Sequence, residues 1–359
     1  MSKNHVFVGL SGGVDSSVTA ALLKEQGYQV TSVYMKNWSQ DLPGFPCPWK
    51  EDYHDAKRVA VQLGIDFKMY DFQTEYRQKV VDYMLDEFKA GRTPNPDVMC
   101  NQEVKFKLFL QTALTDGADM IATGHYARVK NDGAHAQLLR AKDDNKDQTY
   151  FLYRITEEAL RKTLFPLGDL TKPEVRELAK HFGLVTATKK ESMGICFVGK
   201  VGIKEFLSQY IEAVPGAIIN ASGQEVGRHD GAIFYTIGQR QGLHLGGGLP
   251  YYVTGKNMAK NEVYVTHDLQ DAKLWTKKLH LADVHWIGTL GSEELEARVG
   301  KGTVVARTRH RAPVVPVTSA EKSPGGLVVG LAEDIRANTP GQSVVLYDAG
   351  LVLGGGIVL

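Results

Sequence analysis

The run Ser11-Gly12-Gly13-Val14-Asp15-Ser16-Ser17 follows directly on the apolar stretch Val6-Phe7-Val8-Gly9-Leu10. A buried strand that ends in two glycines and opens a helix leaves backbone N–H groups facing outward, an anion site whose expected ligand is phosphate. A Walker loop would carry a Lys for the β- and γ-phosphates, and a dinucleotide loop would read Gly-x-Gly-x-x-Gly. Neither is present, and an acid, Asp15, stands inside the loop. The same residues also suit a plain strand-to-helix turn capped by Ser or Asp. Sulfur offers a second chemistry. Cys100 lies in Gly91-Arg92-Thr93-Pro94-Asn95-Pro96-Asp97-Val98-Met99-Cys100-Asn101, stiffened by two prolines, and Cys196 in Lys189-Lys190-Glu191-Ser192-Met193-Gly194-Ile195-Cys196-Phe197. Both are expected in polar, reachable loops, and Lys189 and Lys190 are cations able to stabilise a thiolate at Cys196. Taken singly, each cysteine is equally a small buried apolar residue, which is how Cys47, in Gly44-Phe45-Pro46-Cys47-Pro48-Trp49, is read. Asp97 is close enough to Cys100 to serve it as acid or base, or simply to cap a turn.

Elements must bring these groups together. A helix is predicted over 14–26 and stopped by Gly27, then a β-branched strand over 29–35, a helix over 52–63 ended by Gly64, and a strand over 67–72. A long helical pattern covers 75–90, a loop 92–101, a helix passes through 106–110, and a strand lies at 120–123. Strands separated by helices of this length indicate βαβ units and a parallel sheet, with ligands at the carboxyl ends of the strands. The fold class is therefore α/β: a doubly wound domain over 1–204, with a hairpin-like insertion at 128–140. From Gly216 onward Gly-rich strand-and-turn sequence takes over, including 231–237 and 251–254, and the last ninety residues read as short strands such as 304–309 and 343–348. A small β-rich central domain over 205–272 and a C-terminal β-barrel over 273–359 are expected.

Composition bounds the rest. A chain of 359 residues implies two or three domains. Its formal net charge of +1 excludes a protein coated in basic residues but not a local RNA-binding patch. Arg307, Arg309, His310 and Arg311 form the densest basic cluster, and strand alternation puts Arg307, Arg309 and Arg311 on one face. Three widely spaced cysteines, with no Cys-x-x-Cys and no His-x-x-x-His, exclude a disulfide scaffold and a zinc knuckle. No apolar run is long enough to cross a bilayer and no signal-peptide pattern opens the chain, so the cytoplasm is the expected location.

The loop is similar to that of the ATP pyrophosphatase superfamily (PP-loop proteins, adenine nucleotide alpha hydrolase-like), whose members adenylate an oxygen and release pyrophosphate. More specifically, six segments resemble the bacterial tRNA-specific 2-thiouridylases: Gly9-Leu10-Ser11-Gly12-Gly13-Val14-Asp15-Ser16, Gly91-Arg92-Thr93-Pro94-Asn95-Pro96-Asp97, Ala122-Thr123-Gly124-His125-Tyr126, Lys146-Asp147-Gln148-Thr149-Tyr150-Phe151-Leu152, Gly194-Ile195-Cys196-Phe197 and Thr236-Ile237-Gly238-Gln239-Arg240. That resemblance implies a transferase that adenylates the C2 oxygen of the wobble uridine of tRNA and replaces it with persulfide sulfur, giving 2-thiouridine, AMP and pyrophosphate. It implies ATP and Mg²⁺ as cofactors, tRNAs for Lys, Glu and Gln as substrates, and a cysteine desulfurase or relay protein as donor. ATP would be held by residues 9–16, with Asp15 helping to place Mg²⁺ and with Met35 and Gly124 beside adenine and ribose. Cys196 would carry the persulfide and Cys100 would be the second catalytic thiol, with Asp97 as acid or base. Either the persulfide attacks C2 and Cys100 then attacks the Cys196 sulfur, releasing the thiolated base and leaving a Cys100–Cys196 disulfide, or Cys100 releases hydrosulfide that attacks. Asn95, Pro96 and Asp97 would meet the target base, with His125, Lys146, Asp147, Gln148, Arg309, His310 and Gln342 on the RNA. His310 stands where a Tyr is expected more often.

Three rivals remain at this level: a carboxylate-adenylating synthetase, a nucleotide-sensing RNA-binding module without chemistry, and an iron–sulfur-dependent tRNA thiolase. The first two leave Cys100 and Cys196 unexplained. The third would need a labile cluster on those cysteines plus another ligand.

Overall fold

The computed structural model describes residues 4–41, 46–190, 202–246 and 248–359. Its first sheet is built from β1 (His5–Gly9), β2 (Gln29–Lys36), β3 (Asp66–Asp71), β4 (Met120–Ala122) and, after the β5 and β6 hairpin (Arg128–Asn131 and Ala136–Leu139), β7 (Thr163–Leu164). The order is β3-β2-β1-β4-β7 and every pairing is parallel. Alternation along β1 explains the two covering layers. Phe7 points into the core with Tyr76, Val80, Val104 and Phe109, whereas Val6 and Val8 point into the other core with α1 (Val14–Glu25) and the helix Lys172–His181. Strand order reverses between β1 and β4, and the crevice at their carboxyl ends is where such a sheet takes its ligand.

Two stretches depart from the predicted pattern. The loop expected over 92–101 is helical from Pro96: a turn, Pro96–Met99, runs into a π-helix, Cys100–Leu108. Pro96 occupies the first helical turn, where its missing N–H costs nothing, and Asn95 caps that turn by accepting from the N–H groups of Asp97 (3.2 Å) and Val98 (3.4 Å). The helix predicted over 75–90 likewise contains a π segment, Arg77–Asp82.

The central sheet is ordered β10-β11-β8-β9, from β8 (Gly216–Ile219), β9 (Glu225–His229), β10 (Tyr252–Asn257) and β11 (Glu262–Thr266). Within 231–237, Ala232–Phe234 form a 3₁₀ turn rather than strand. The C-terminal strands β12 (Trp275–Trp286), β13 (Val304–Arg307), β14 (Val315–Ser323), β15 (Gly326–Arg336), β16 (Ser343–Asp348) and β17 (Leu351–Val358) close into a six-stranded barrel through the β12–β17 pairing. The hairpin of β5 and β6 joins β17 at Leu139–Leu351, so the first domain extends the barrel sheet.

No helix among the described residues is long and apolar enough to cross a membrane.

Candidate active site at the sheet switch point

β1 delivers the 11–17 loop to the crevice, and the loop is stitched to itself. Ser16 Oγ accepts from the Ser11 N–H and lies 3.2 Å from Ser11 Oγ, while Ser17 Oγ donates to the Gly13 carbonyl at 2.7 Å. Gly12 has φ +76°, and a Cβ there would sit 2.3 Å from the Asp52 carbonyl oxygen, so no other residue fits. Gly13 precedes the helix with no side-chain cap. The first N–H groups of α1 thus keep the orientation an anion requires. Met35 packs beside Gly9 at the end of β2. Leu10 and Val14 are buried and hold the loop down on both sides.

Asp15 is occupied. Its Oδ1 accepts from Lys172 Nζ at 2.6 Å and from the Tyr126 hydroxyl at 2.9 Å. The carboxylate expected to place Mg²⁺ is therefore already neutralised by a lysine that sequence reading did not connect with it.

Residues 123–125 tie this loop to the thiol. A Cβ on Gly124 would lie 2.7 Å from the Ser16 nitrogen, so this position must be glycine for β4 to reach the start of α1. The next residue, His125, is bonded at Nδ1 to Thr123 Oγ1 (2.8 Å) and lies 3.5 Å at Nε2 from Lys105 Nζ. Lys105 also faces Asp97 and Cys100, pulling the pKa of both downward. It is five residues from Cys100, the spacing that a π-helix brings onto one face. Burial works the other way and dominates: it pushes the Asp97 carboxyl up, pushes the Cys100 thiol up, and with Lys105 holds His125 neutral, its pKa well below the usual imidazole range. The Tyr76 hydroxyl bonds the Cys100 sulfur and favours the thiolate.

Cys100 is thus not in a reachable loop. It is 5 % exposed, within the core that holds Tyr76 and Val104, because the segment became helix and turned the thiol inward. Cys196 lies outside the described residues. Of the cations expected beside it, Lys189 is committed to Asp52 (2.8 Å) and Asp55 (2.5 Å) on the helix Trp49–Leu63. Cys47 is half-buried, its sulfur 3.8 Å from the Trp38 carbonyl oxygen.

The residues expected on RNA divide into two groups. Asn95, Pro96, Asp97 and Gln342 do come together: Gln342 Nε2 donates to the Thr93 carbonyl at 2.9 Å, the Thr93 N–H donates to the Pro340 carbonyl at 2.8 Å, and Thr93 Oγ1 lies 3.3 Å from Thr236 Oγ1 of the central domain. All three domains meet on the segment that leads to Cys100. Asp147 goes elsewhere. Its side chain is fully buried, accepting from Arg140 (3.3 Å), Arg307 (3.1 Å) and Thr149 Oγ1 (2.9 Å), and so fixes the segment that carries Lys146 and Gln148. Gln148 is half-buried, with Oε1 accepting from the Tyr126 N–H at 2.9 Å. Nor do Arg307, Arg309 and Arg311 share a strand face. β13 ends at Arg307, which turns inward to Asp147, and Arg311 has φ +63° in the following turn. Arg309 caps the carbonyl of Ala337, and burial lowers its pKa. His310 lies 4.5 Å from the Phe151 ring, with Nδ1 buried and unpartnered among the described residues.

Among the described residues no three His, Cys, Asp or Glu side chains gather to hold a metal ion.

Comparison with known proteins agrees with this division into three parts. A family model described as "tRNA methyl transferase HUP domain" matches residues 4–200, "tRNA methyl transferase PRC-barrel domain" 204–267, and "Aminomethyltransferase beta-barrel domain" 276–358. The tRNA-specific 2-thiouridylase MnmA of Halalkalibacterium halodurans is 50% identical over 357 residues, which cover 99% of this chain and 95% of that protein. That of Bacillus subtilis is 49% identical over 358 residues, covering 99% and 94%.

Proposed function

The chain belongs to the tRNA-specific 2-thiouridylase family, and from that premise we infer that it is a tRNA-uridine 2-sulfurtransferase that uses ATP to replace the C2 oxygen of the wobble uridine by sulfur. One observation supports this reading most: consecutive residues just past β4 touch both halves of the chemistry, Gly124 against Ser16 of the phosphate loop and His125 against Lys105, whose charge acts on Cys100 and Asp97.

The residues present fit a nucleotide. The Ser11–Ser16 hydroxyl pair, the loop amides and the start of α1 would take pyrophosphate oxygens, and Met35 and Gly124 stand where adenine and ribose would lie. ATP supplies a leaving group, since the C2 oxygen of uracil departs poorly until it is adenylated. Mg²⁺ would arrive on the nucleotide's own phosphates rather than on Asp15, which is paired with Lys172. The protein's remaining task is the thiol. Half-buried Asp97, its carboxyl pKa raised by desolvation, would exchange a proton with the Cys100 sulfur or the base. Lys105 compensates the charge when that sulfur ionises.

Sulfur would come to the site on Cys196 as a persulfide from a desulfurase or relay protein. Asn95 and Pro96 would meet the uridine, with His125, Lys146, Gln148, Arg309, His310 and Gln342 on tRNAs of the Lys, Glu and Gln type. The cytoplasm, which supplies tRNA and ATP, is the proposed location. The description "methyl transferase" attached to two domain models accounts neither for the phosphate loop nor for Cys100 and Asp97.

The test is chemical. Purified protein is incubated with transcribed tRNA, ATP, Mg²⁺ and a persulfide source, and the digested RNA is analysed by mass. 2-Thiouridine at the wobble position is expected, and is lost in Cys100→Ser and in Cys196→Ser. Cleavage of ATP to AMP without sulfur in the RNA would refute the substrate assignment.

A further inference from the structure

We propose that Lys172 is the phosphate-binding lysine that the 11–17 loop lacks in its own sequence, supplied to the departing pyrophosphate from the start of a helix 157 residues downstream. The proposal rests on the reading of that loop as the ATP site.

A Walker loop carries its lysine next to the first turn of its helix. Here that turn carries an acid, Asp15, whose charge by itself would repel a triphosphate from the very amides that should attract it. Lys172 reverses that balance. Its ammonium lies 2.6 Å from Asp15 Oδ1, its side chain is 10 % exposed, and the buried Tyr126, whose hydroxyl bonds the same oxygen, lies beneath it with the ring centre 5.8 Å away. The stem is fixed at its root as well. The Lys172 N–H donates to Asp143 Oδ2 at 2.9 Å, and the helix is started by a reciprocal cap between Thr171 and Glu174. Lysines are seldom buried to this degree unless paired or put to use. An ammonium carries three protons, so a bond to Asp15 is compatible with another to a phosphate oxygen. The same pair pins the Lys172–His181 helix to α1, which is the purely structural alternative.

Equilibrium binding of ATP and of inorganic pyrophosphate to the full chain, without tRNA, separates the two. Lys172→Met should weaken pyrophosphate binding by about 10- to 100-fold, the range for a lost charge-assisted bond, and Lys172→Arg should keep most of it. If the lysine only balances Asp15, the neutral pair Asp15→Asn/Lys172→Met will restore both melting temperature and affinity, which overturns the proposal. If the lysine contacts phosphate, that double variant will regain its melting temperature and remain weak in binding. The double variant also keeps the test informative where Lys172→Met alone fails to fold. A Ser11→Ala/Ser16→Ala variant supplies the control. If it loses pyrophosphate while Lys172→Met binds normally, the ATP site stands and the lysine assignment falls. If the unaltered chain binds neither ligand, the site reading itself fails.

Discussion

A thiol that must attack and then leave works best with a pKa near ambient pH, yet burial and Asp97 push Cys100 up while Lys105 and Tyr76 pull it down. Lys105 is the group whose removal should show this balance. In a Cys47→Ser/Cys196→Ser background, Lys105→Met should slow alkylation of Cys100 at pH 8 by about tenfold, one pKa unit's worth of thiolate, and shift the pH profile of the rate to higher pH. Lys105→Arg should return the profile toward that of the parent. An unchanged profile in Lys105→Met would show that the cation does not govern the thiol. Because Lys105 acts on Cys100 through its charge, a merely structural role would alter stability and leave the profile where it was.

Among the elements, the helix that opens at Pro96 carries two duties, since its cap residue, Asn95, is also among the three expected against the target base. Asn95→Ala should cost about 1 kcal/mol of stability through the lost cap. Asn95→Ser, which can still cap, should recover most of that in a urea titration. If Asn95→Ser also recovers thiolation, the amide has no separate part in base recognition. The π register that follows carries both Cys100 and Lys105, whose charge acts on the thiol. A regular α-helix puts residues three or four apart on one face, so a five-residue spacing carries no signal in a sequence read for helical periodicity. The same omission turned a loop reading over 92–101 into an error about Cys100, because two prolines and an Asn look like loop until the Asn is seen to cap and the proline to sit in the first turn.

At the scale of the molecule, the first domain and the barrel share one core. Tyr150, Tyr153, Val345 and Tyr347 pack in the same cluster, and the Tyr150 hydroxyl donates to the Ser343 carbonyl at 2.8 Å. Asp147 is its polar centre, with the side chain of Arg307 8 % exposed and its own 0 %. Arg307→Met should therefore destabilise by roughly 3 kcal/mol, and Arg307→Met/Asp147→Asn by less, since breaking one side of a buried pair strands the other. Equal losses in both variants would mean the pair is not what the interface depends on. Acid should loosen the molecule as a whole. His125, His229, His285 and His310 all have pKa values lowered by burial. Once unfolded they take up protons below about pH 6.5, where the folded state binds fewer, so stability rises with pH across this window and is lost as pH falls. The urea midpoint should thus be lower at pH 5.5 than at pH 7.5, and a higher midpoint at pH 5.5 would contradict the assignment.

Sequence alone determined what is local. β-branched runs, helical periodicity and terminating glycines specify the doubly wound sheet, and a glycine pair behind a buried strand specifies the phosphate loop. The ordered segments from Gly9 to Arg240 are enough to suggest the family. Tertiary structure decided what depends on distance through space. It put Lys172 on Asp15, Gln342 on Thr93 and Arg307 on Asp147, pairs separated by 157, 249 and 160 residues. The physical reason is that charge and hydrogen bonding act over a few ångströms regardless of chain order, and only packing of sheet, helices and barrel sets which charges come that close. Strand alternation could count the arginines near residue 309, but β13 ends at Arg307, and it is the buried Asp147 across the interface that turns this arginine inward.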